Sequence, residues 1–593
     1  MKKQLVYNRP IWIFLLFLIG NFLFVSLNFR YWFHFMEQFM LFQTTSVYWK
    51  ELAAQLGGWN EYIAEYLTQA FSFAAGPAIL VTTLSGLIAL LFYKYQQACC
   101  GKASMGLSIL PLFLFWFFPS ETIVPMLVLV WALAGTVVCQ SISNRNIRML
   151  VGVLLVSLLY YVAVPAPFLY AVLLLLHEWM RADQRKPYLY TSVLLAWTFL
   201  LPLLVMRLWL VVPMREVWMG KYMYHPEYPV PQSFWLIFLS FPVLTLVGRL
   251  CAKWQERLRP AKWLAAECIF WTGLMAALIA LRKDPVQQAY QYDYYARNGA
   301  WDKIVAHAEK EGVHDFDALV YVNLALSYTG RQTTDLMKFP QVGETGFIPH
   351  DPRTRLGLIQ ASEVAWQVGQ VNAAQRFAFV GVLSSQRCVQ PRLMKRLVET
   401  YLVNGEYRAA EKYIRILEHT PRYKAWAAEQ RQYLGEKESQ SAGWIQAKRA
   451  FLPVTDNPFD LTKTLPSALA FLIDDHPDNQ AAFDYGMCYL LVYKNLPAFM
   501  HYMPLYKERH QSFPKLYQEA ICLYYASKGK MAEAANDYPI DSEVTNRMQQ
   551  FLKTARSLSA ANLKQLYGDT YIIRSLCQYP NNKEYGNRLY QSA

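Results

Sequence analysis

The hexapeptide Gly405-Glu406-Tyr407-Arg408-Ala409-Ala410 states a rule that the C-terminal half of the chain repeats: glycine, any residue, a large apolar residue, two residues, then Ala or Ile. It recurs as Gly299-x-Trp301-x-x-Ile304, Gly369-x-Val371-x-x-Ala374 and Gly529-x-Met531-x-x-Ala534, with starts 70, 36 and 124 residues apart in chain order. Such spacings fit the roughly 34-residue period of tetratricopeptide-type helical hairpins, in which a glycine turn joins two helices. Around the quoted stretch, Leu397, Tyr401 and Leu402 make the apolar stripe of a first helix and Asn404-Gly405 the turn. Tyr407, Ala410, Ile414 and Leu417 make the facing stripe; the small Ala410 permits close approach, and Pro421 stops the second helix.

The same grammar is legible in Tyr292–Ala308, Val364–Val380 and Tyr517–Ala535. A degenerate copy over Phe483–Met503 has Lys494-Asn495 at its turn in place of glycine. One hairpin cannot bury its own apolar face, so a stack of about six to eight pairs is expected through 286–593. Thr333–Arg355, with Gly343, Gly346, Pro349 and Pro352, reads as a long inter-repeat loop, and about the last forty residues as a polar cap.

The N-terminal half follows another pattern. The chain has 593 residues, 54% hydrophobic and 17% charged, and the apolar excess lies in long runs between residue 11 and about residue 283. Nine runs approach the ~20 residues that span a bilayer: Ile11–Phe29, Phe73–Tyr93, Met105–Phe118, Ile123–Ile142, Ile147–Val164, Ala166–His177, Leu189–Val212, Phe234–Leu250 and Trp263–Leu281. The third and sixth are short. Alternate connections are the basic ones, namely the N-terminus, Lys94–Lys102, Arg145–Arg148, Arg181–Lys186 and Arg249–Lys262. The positive-inside rule then puts the N-terminus in the cytoplasm and everything after Arg282 outside, in the periplasm of a Gram-negative cell. Much of the net charge of +14 sits in these loops, which argues against a nucleic-acid partner. The expected fold is all-α: a polytopic transmembrane bundle over 1–283, then an exported tetratricopeptide-like α-solenoid over 284–593.

Three phrases carry a resemblance. Asn372-Ala373-Ala374-Gln375-Arg376-Phe377-Ala378-Phe379, the run Arg396–Tyr407, and Tyr423-Lys424-Ala425-Trp426-Ala427 resemble a multi-pass family of Bacteroidota membrane proteins, a domain of unknown function. The resemblance covers nearly the whole chain and implies an inner-membrane address and a shared architecture. It implies no activity and supplies no catalytic residues.

Chemistry is sparse. There is no phosphate-cradling glycine loop, no His-Glu-x-x-His, no nucleophile elbow and no metal-ligand spacing, so neither cofactor nor metal is expected. The adjacent Cys99 and Cys100 read as a reduced pair on a cytoplasmic loop; Cys488 and Cys522 read as small buried residues, a disulfide between them being the alternative. The outer loops hold more. Arg30–Ser72, with apolar spacing that suggests interfacial helices, carries Glu37, and Pro213–Gln232 carries Arg215, Lys221 and His225 near Arg207. This arrangement is similar to glycosyltransferases that use polyprenyl-phosphate sugars. That similarity implies Glu37 as base and Arg207, Arg215, Lys221 and His225 as a lipid-phosphate clamp, although the first outer loop lacks any Asp. The opposing reading is a binding scaffold whose repeats dock a protein or envelope polymer through Arg376, Tyr407 and Arg415, with the bilayer as the other partner.

Overall fold

A computed structural model describes residues 9–101, 103–117, 123–180, 187–208, 213–220, 232–255, 269, 270, 273, 277, 287–385, 389–454, 464–554, 560–567, 570 and 571. Among them all regular structure is helical. The chain divides into two units, one of Met1–Arg282 with His419–Arg422 and the other of Lys283–Glu418 with Tyr423–Ala593.

The first unit opens with α1 (Arg9–Asn28), α2 (Arg30–Glu37), α3 (Ser46–Ala53), α4 (Gly58–Thr68) and α5 (Gly76–Cys100). Next come α6 (Met105–Ile109), a 3-10 turn (Leu110–Phe113), α7 (Leu114–Phe117), α8 (Val124–Gln140), α9 (Arg145–Val162) and α10 (Ala166–Met180). The unit continues with α11 (Pro187–Leu208), α12 (Met214–Met219) and α13 (Gln232–Gln255). Helix α5 packs on α1, α8, α10 and α13, and most of it is inside. Helices α1, α9 and α11 turn most of their surface outward. Those outward faces are apolar: Leu16, Ile19, Leu23 and Leu27 on α1, Leu150, Leu154 and Leu158 on α9. On α13 the stripe is Leu236, Leu239, Val243, Leu246 and Leu250. A bundle built for water hides such stripes.

Four helices are long and apolar enough to cross a membrane by length and composition: Ile11–Asn28, Gly76–Cys100, Arg145–Val162 and Tyr190–Leu208. The remaining expected spans are shorter or broken. Met105–Phe118 is interrupted at the 3-10 turn, where Pro111 has no N–H to continue the ladder. Val124–Gln140, Ala166–Met180 and Phe234–Leu250 are apolar but shorter, and Trp263–Leu281 lies mostly outside the described residues.

Two expected loops are helical instead. Lys94, Cys99 and Cys100 close α5, and Gly101 (φ 73°) ends it. The Asn144 side chain accepts from the N–H groups of Asn146 and Ile147, so α9 starts at Arg145 and draws Arg148 into its first turn. Residues 30–72 fold over α8 and α9: the Asn60 amide donates to the Val124 carbonyl (3.3 Å), and the Tyr161 hydroxyl donates to the Ala53 carbonyl (2.6 Å).

The second unit begins with α14 (Gln287–Arg297), α15 (Trp301–Glu311), α16 (Phe316–Tyr328) and the short α17 (Gln332–Asp335). It continues with α18 (Arg355–Gln367), α19 (Val371–Ser384), α20 (Pro391–Val403), α21 (Tyr407–Glu418), α22 (Lys424–Arg431), α23 (Glu436–Gln440) and α24 (Gly443–Arg449). The later helices are α25 (Leu465–Asp475), α26 (Gln480–Val492), α27 (Leu496–Arg509), α28 (Lys515–Ser527), α29 (Ala534–Asp537), α30 (Ser542–Thr554) and α31 (Ala560–Tyr567). From α18 to α22 each helix packs on the next in chain order. Ala410, Ile414, Leu417, Leu397 and Leu402 are fully buried between them.

The turns obey one geometry. All four glycines of the repeated phrase, Gly299, Gly369, Gly405 and Gly529, have left-handed backbone, as does Gly330. Lys494, at the degenerate turn, is the one non-glycine with positive φ among the described residues (60°). At five of these six turns the next N–H reaches the carbonyl five residues back: Ala300 to Tyr295, Arg331 to Leu326, Glu406 to Tyr401, Asn495 to Leu490 and Lys530 to Tyr525. That bond caps a helix C-terminus and needs left-handed backbone at the turn.

Residues 332–350 are an insert packed into the unit rather than an open loop. Leu336, Phe339, Phe347 and Ile348 are buried, and α17 packs on α26 and α28. The Tyr485 hydroxyl donates to the Phe347 carbonyl at 2.6 Å.

Candidate functional site

Three of the four phrase copies carry an acidic residue six positions before the turn glycine: Asp293, Glu363 and Glu399. The fold sets these carboxylates on the first helices of their hairpins, α14, α18 and α20. Arg392 and Arg396, one turn apart on α20, bridge them. The Arg392 guanidinium pairs with Asp293 and with Glu363 (3.4 Å). The Arg396 guanidinium pairs with Glu363 (2.7 Å) and Glu399 (2.8 Å). The result is an alternating ladder, Asp293–Arg392–Glu363–Arg396–Glu399. The Tyr321 hydroxyl of α16 adds a bond to Asp293 at 2.6 Å. Its inner end is closed, with Asp293 only 1% exposed. Burial alone would raise the Glu363 carboxyl, but Arg396 and Arg392 hold it below the usual carboxylate range.

The outer end is a half-buried face of cations on indoles. The Arg396 guanidinium lies 4.3 Å and the Lys448 ammonium 5.0 Å from the Trp366 ring centre, and the Lys395 ammonium 4.6 Å from that of Trp426. Trp444 and Tyr433 continue the aromatic surface. Lys448 also donates to the Trp366 carbonyl at the end of α18 (2.5 Å). Its neighbour Arg449 donates to the carbonyls of Leu402 and Val403 at the end of α20 (3.1 and 2.9 Å). These basic residues thus cap two helix C-termini, where carbonyls lack intrahelical partners. Burial, then the Arg396 charge, pushes the Lys448 amine down to about 8, and burial likewise lowers Lys395.

The binding residues expected from sequence stand on second helices, away from this ladder's α14, α18 and α20. The Tyr407 hydroxyl donates to Glu436 (2.7 Å), sits 2.8 Å from the Ser439 hydroxyl and accepts from Arg449 (3.1 Å). Arg415 pairs with Glu411 on its own helix, and Arg376 is exposed over Phe377. Cys488 and Cys522 are free and fully buried. The apolar stripe Leu397, Tyr401 and Leu402 identifies helix α20 but says nothing of its charges. The acid six positions before three of the four turn glycines is the signal that could have found the ladder.

In the first unit, Glu37 ends α2 with 0% exposure, within a buried run from Phe33 to Phe39. Arg207, in the last turn of α11, and Arg215, on α12, are exposed. Lys221 and His225 lie outside the described residues, as does Glu267. A buried ion pair, Arg148–Glu178 (2.7 Å), joins α9 to α10, and Arg148 also donates to the Ile142 carbonyl (2.7 Å). Among the described residues no group of three or more His, Cys, Asp or Glu could hold a metal ion.

A model of a family of unknown function (DUF6057) matches residues 6–572 of the chain. No curated protein and no solved structure matches it.

Proposed function

The chain belongs to the family of unknown function DUF6057, and we propose that it is a multi-pass inner-membrane protein whose exported helical-repeat region docks a protein or envelope-polymer partner. The outward leucine stripes of α1, α9 and α13 support the membrane part, because lipid is the solvent that accepts them. Five equivalent capped turns support a tetratricopeptide-like stack in the second unit. The observation that carries the docking reading is the ladder's outer end. A network needed only for the fold would close on itself; this one finishes on half-buried tryptophans, a residue type enriched at interface hot spots, with lysines lying on them.

Photo-cross-linking in intact cells tests this, with a photoreactive residue at Lys395 or Trp426 and, as controls, at the exposed Lys412 or Lys437. A discrete adduct from the first two positions alone is expected. Equal adducts from all four, or none, would defeat the docking reading. A reporter fused after Pro285 tests topology: activity restricted to the exported side is expected, and cytoplasmic activity would overturn the orientation.

The second reading is the polyprenyl-phosphate transferase, favoured by one observation: α2 holds the Glu37 carboxylate and the His34 ring inside an aromatic segment that directly follows a helix long enough to span. Its test is mass spectrometry of co-purifying lipid. A polyprenyl phosphate bound by wild type and lost with Arg207→Ala supports it, and bulk phospholipid alone in both sinks it.

A further inference from the structure

We propose that the face carrying Lys395 and Lys448 binds an acidic peptide segment, two of whose carboxylates meet the two ammonium groups while the side chains between them lie on Trp366 and Trp426. This rests on the docking reading and names the ligand's chemistry.

Every carboxylate of the ladder already faces a guanidinium: Asp293 faces Arg392, Glu363 faces both arginines, and Glu399 faces Arg396. Lys395 and Lys448 form no ion pair among the described residues; one sits on an indole, the other on an indole and a carbonyl. Both feel the repulsion of Arg396. Holding an ammonium partly out of water without a paired carboxylate costs free energy, which the indoles and, at Lys448, the capped Trp366 carbonyl offset only in part. An arriving carboxylate supplies the missing counter-ion at sites whose desolvation is already partly met, so its attraction is stronger than on an open surface. The flanking tryptophans offer large apolar area beside those charges, as binding hot spots do.

The spacing of charge selects a peptide over a dense polyanion. Glu363 and Glu399 pair with Arg396 at this end of the ladder, and their side chains stay 15% and 24% exposed. A polymer with negative charge at every unit would press against these two carboxylates. Carboxylates set apart along a peptide can straddle them.

The test uses full-length protein in lipid nanodiscs and a fluorescein-labelled peptide of alternating glutamate and alanine, read by anisotropy. Saturable binding is expected, weakened by salt and by about tenfold or more in Lys395→Gln/Lys448→Gln, but kept in Lys395→Arg/Lys448→Arg. A readout on wild type alone guards against misfolding: the peptide should slow acylation of Lys448 and Lys395 by an amine reagent without changing that of Lys437. Undiminished binding to the glutamine variant, or no protection of the lysines, would overturn the proposal. So would lysine-dependent binding of polygalacturonate in preference to the peptide. If the acidic peptide fails while the photo-cross-links from Trp426 persist, the ligand class falls and the docking reading stands; if both fail, both fall.

Discussion

Two buried charge networks, one in each unit, are built in opposite ways. In the first, Arg148 and Glu178 are 1% and 3% exposed, meet through two guanidinium bonds, and satisfy a remaining donor on the Ile142 carbonyl. That pair closes on itself. In the second, five charged groups alternate from a sealed end at Asp293 to an open end, and two lysines remain beyond the last carboxylate. A closed pair locks helices together. An unbalanced one locks helices and also leaves a preference for something outside the chain.

The sharpest way to break this comparison is to remove one partner of the closed pair. Arg148→Ala leaves Glu178 buried without its counter-ion and should destabilise the first unit by about 3–5 kcal/mol, read as a lowered midpoint of detergent-induced unfolding. The double variant Arg148→Met/Glu178→Met should recover much of that loss, and no recovery would show that the pair does more than lock helices. Glu363→Gln in the ladder should cost less, about 2–3 kcal/mol, because Arg392 retains Asp293 and Arg396 retains Glu399. A cost equal to that of Arg148→Ala would erase the distinction between closed and open networks.

Smaller effects test the turns. Gly405→Ala forces a side chain into left-handed backbone and should cost about 1–2 kcal/mol, whereas Lys494→Gly should relieve a similar strain and raise the thermal midpoint. The least effect on stability is expected from Lys395→Gln/Lys448→Gln, within about 0.5 kcal/mol.

pH separates stability from binding at Lys448. Its amine is lowered from the ordinary 10.5 to about 8, so the folded protein binds fewer protons than the unfolded chain between those values. The cost of charging Lys448 is therefore present below about pH 8 and disappears as pH rises through that window. Affinity for an acidic peptide should run the other way and fall as pH passes 8. The charged groups around it are Arg396 and Glu399 on α20, Glu363 on α18 and the neighbouring Arg449. Lys395, also lowered, loses its proton in the same direction and deepens the fall. Affinity unchanged from pH 7 to 9 would remove Lys448 from the site.

What the sequence disclosed follows from the range of each force. Turn glycines were legible because left-handed backbone is a local demand, and the Lys494 turn was legible from the copies around it. Gly330 escaped because Gln332 stands where the phrase has a large apolar residue. The insert was read as a loop because its packing partners are distant, Tyr485 lying 138 residues after Phe347. Arg148 looked like a loop cation beside Arg145; only the fold brings Glu178 to it. The broken run at Met105–Phe118 was foreshadowed by its shortness and by Pro111. The ladder is not legible from apolar stripes and turns alone, because its partners lie on three separate hairpins; the acids six positions before three of the four turn glycines are the local trace it leaves.

One measurement bears most directly on the claim that holding the fold and docking a partner are separable in the ladder. Glu363→Gln and Lys395→Gln/Lys448→Gln, each carrying the photoreactive residue at Trp426, are assayed for unfolding midpoint and for adduct yield in the same membranes. The account predicts a lowered midpoint with adduct retained for the first, and an unchanged midpoint with adduct lost for the second. Midpoint and adduct falling together in both would contradict it.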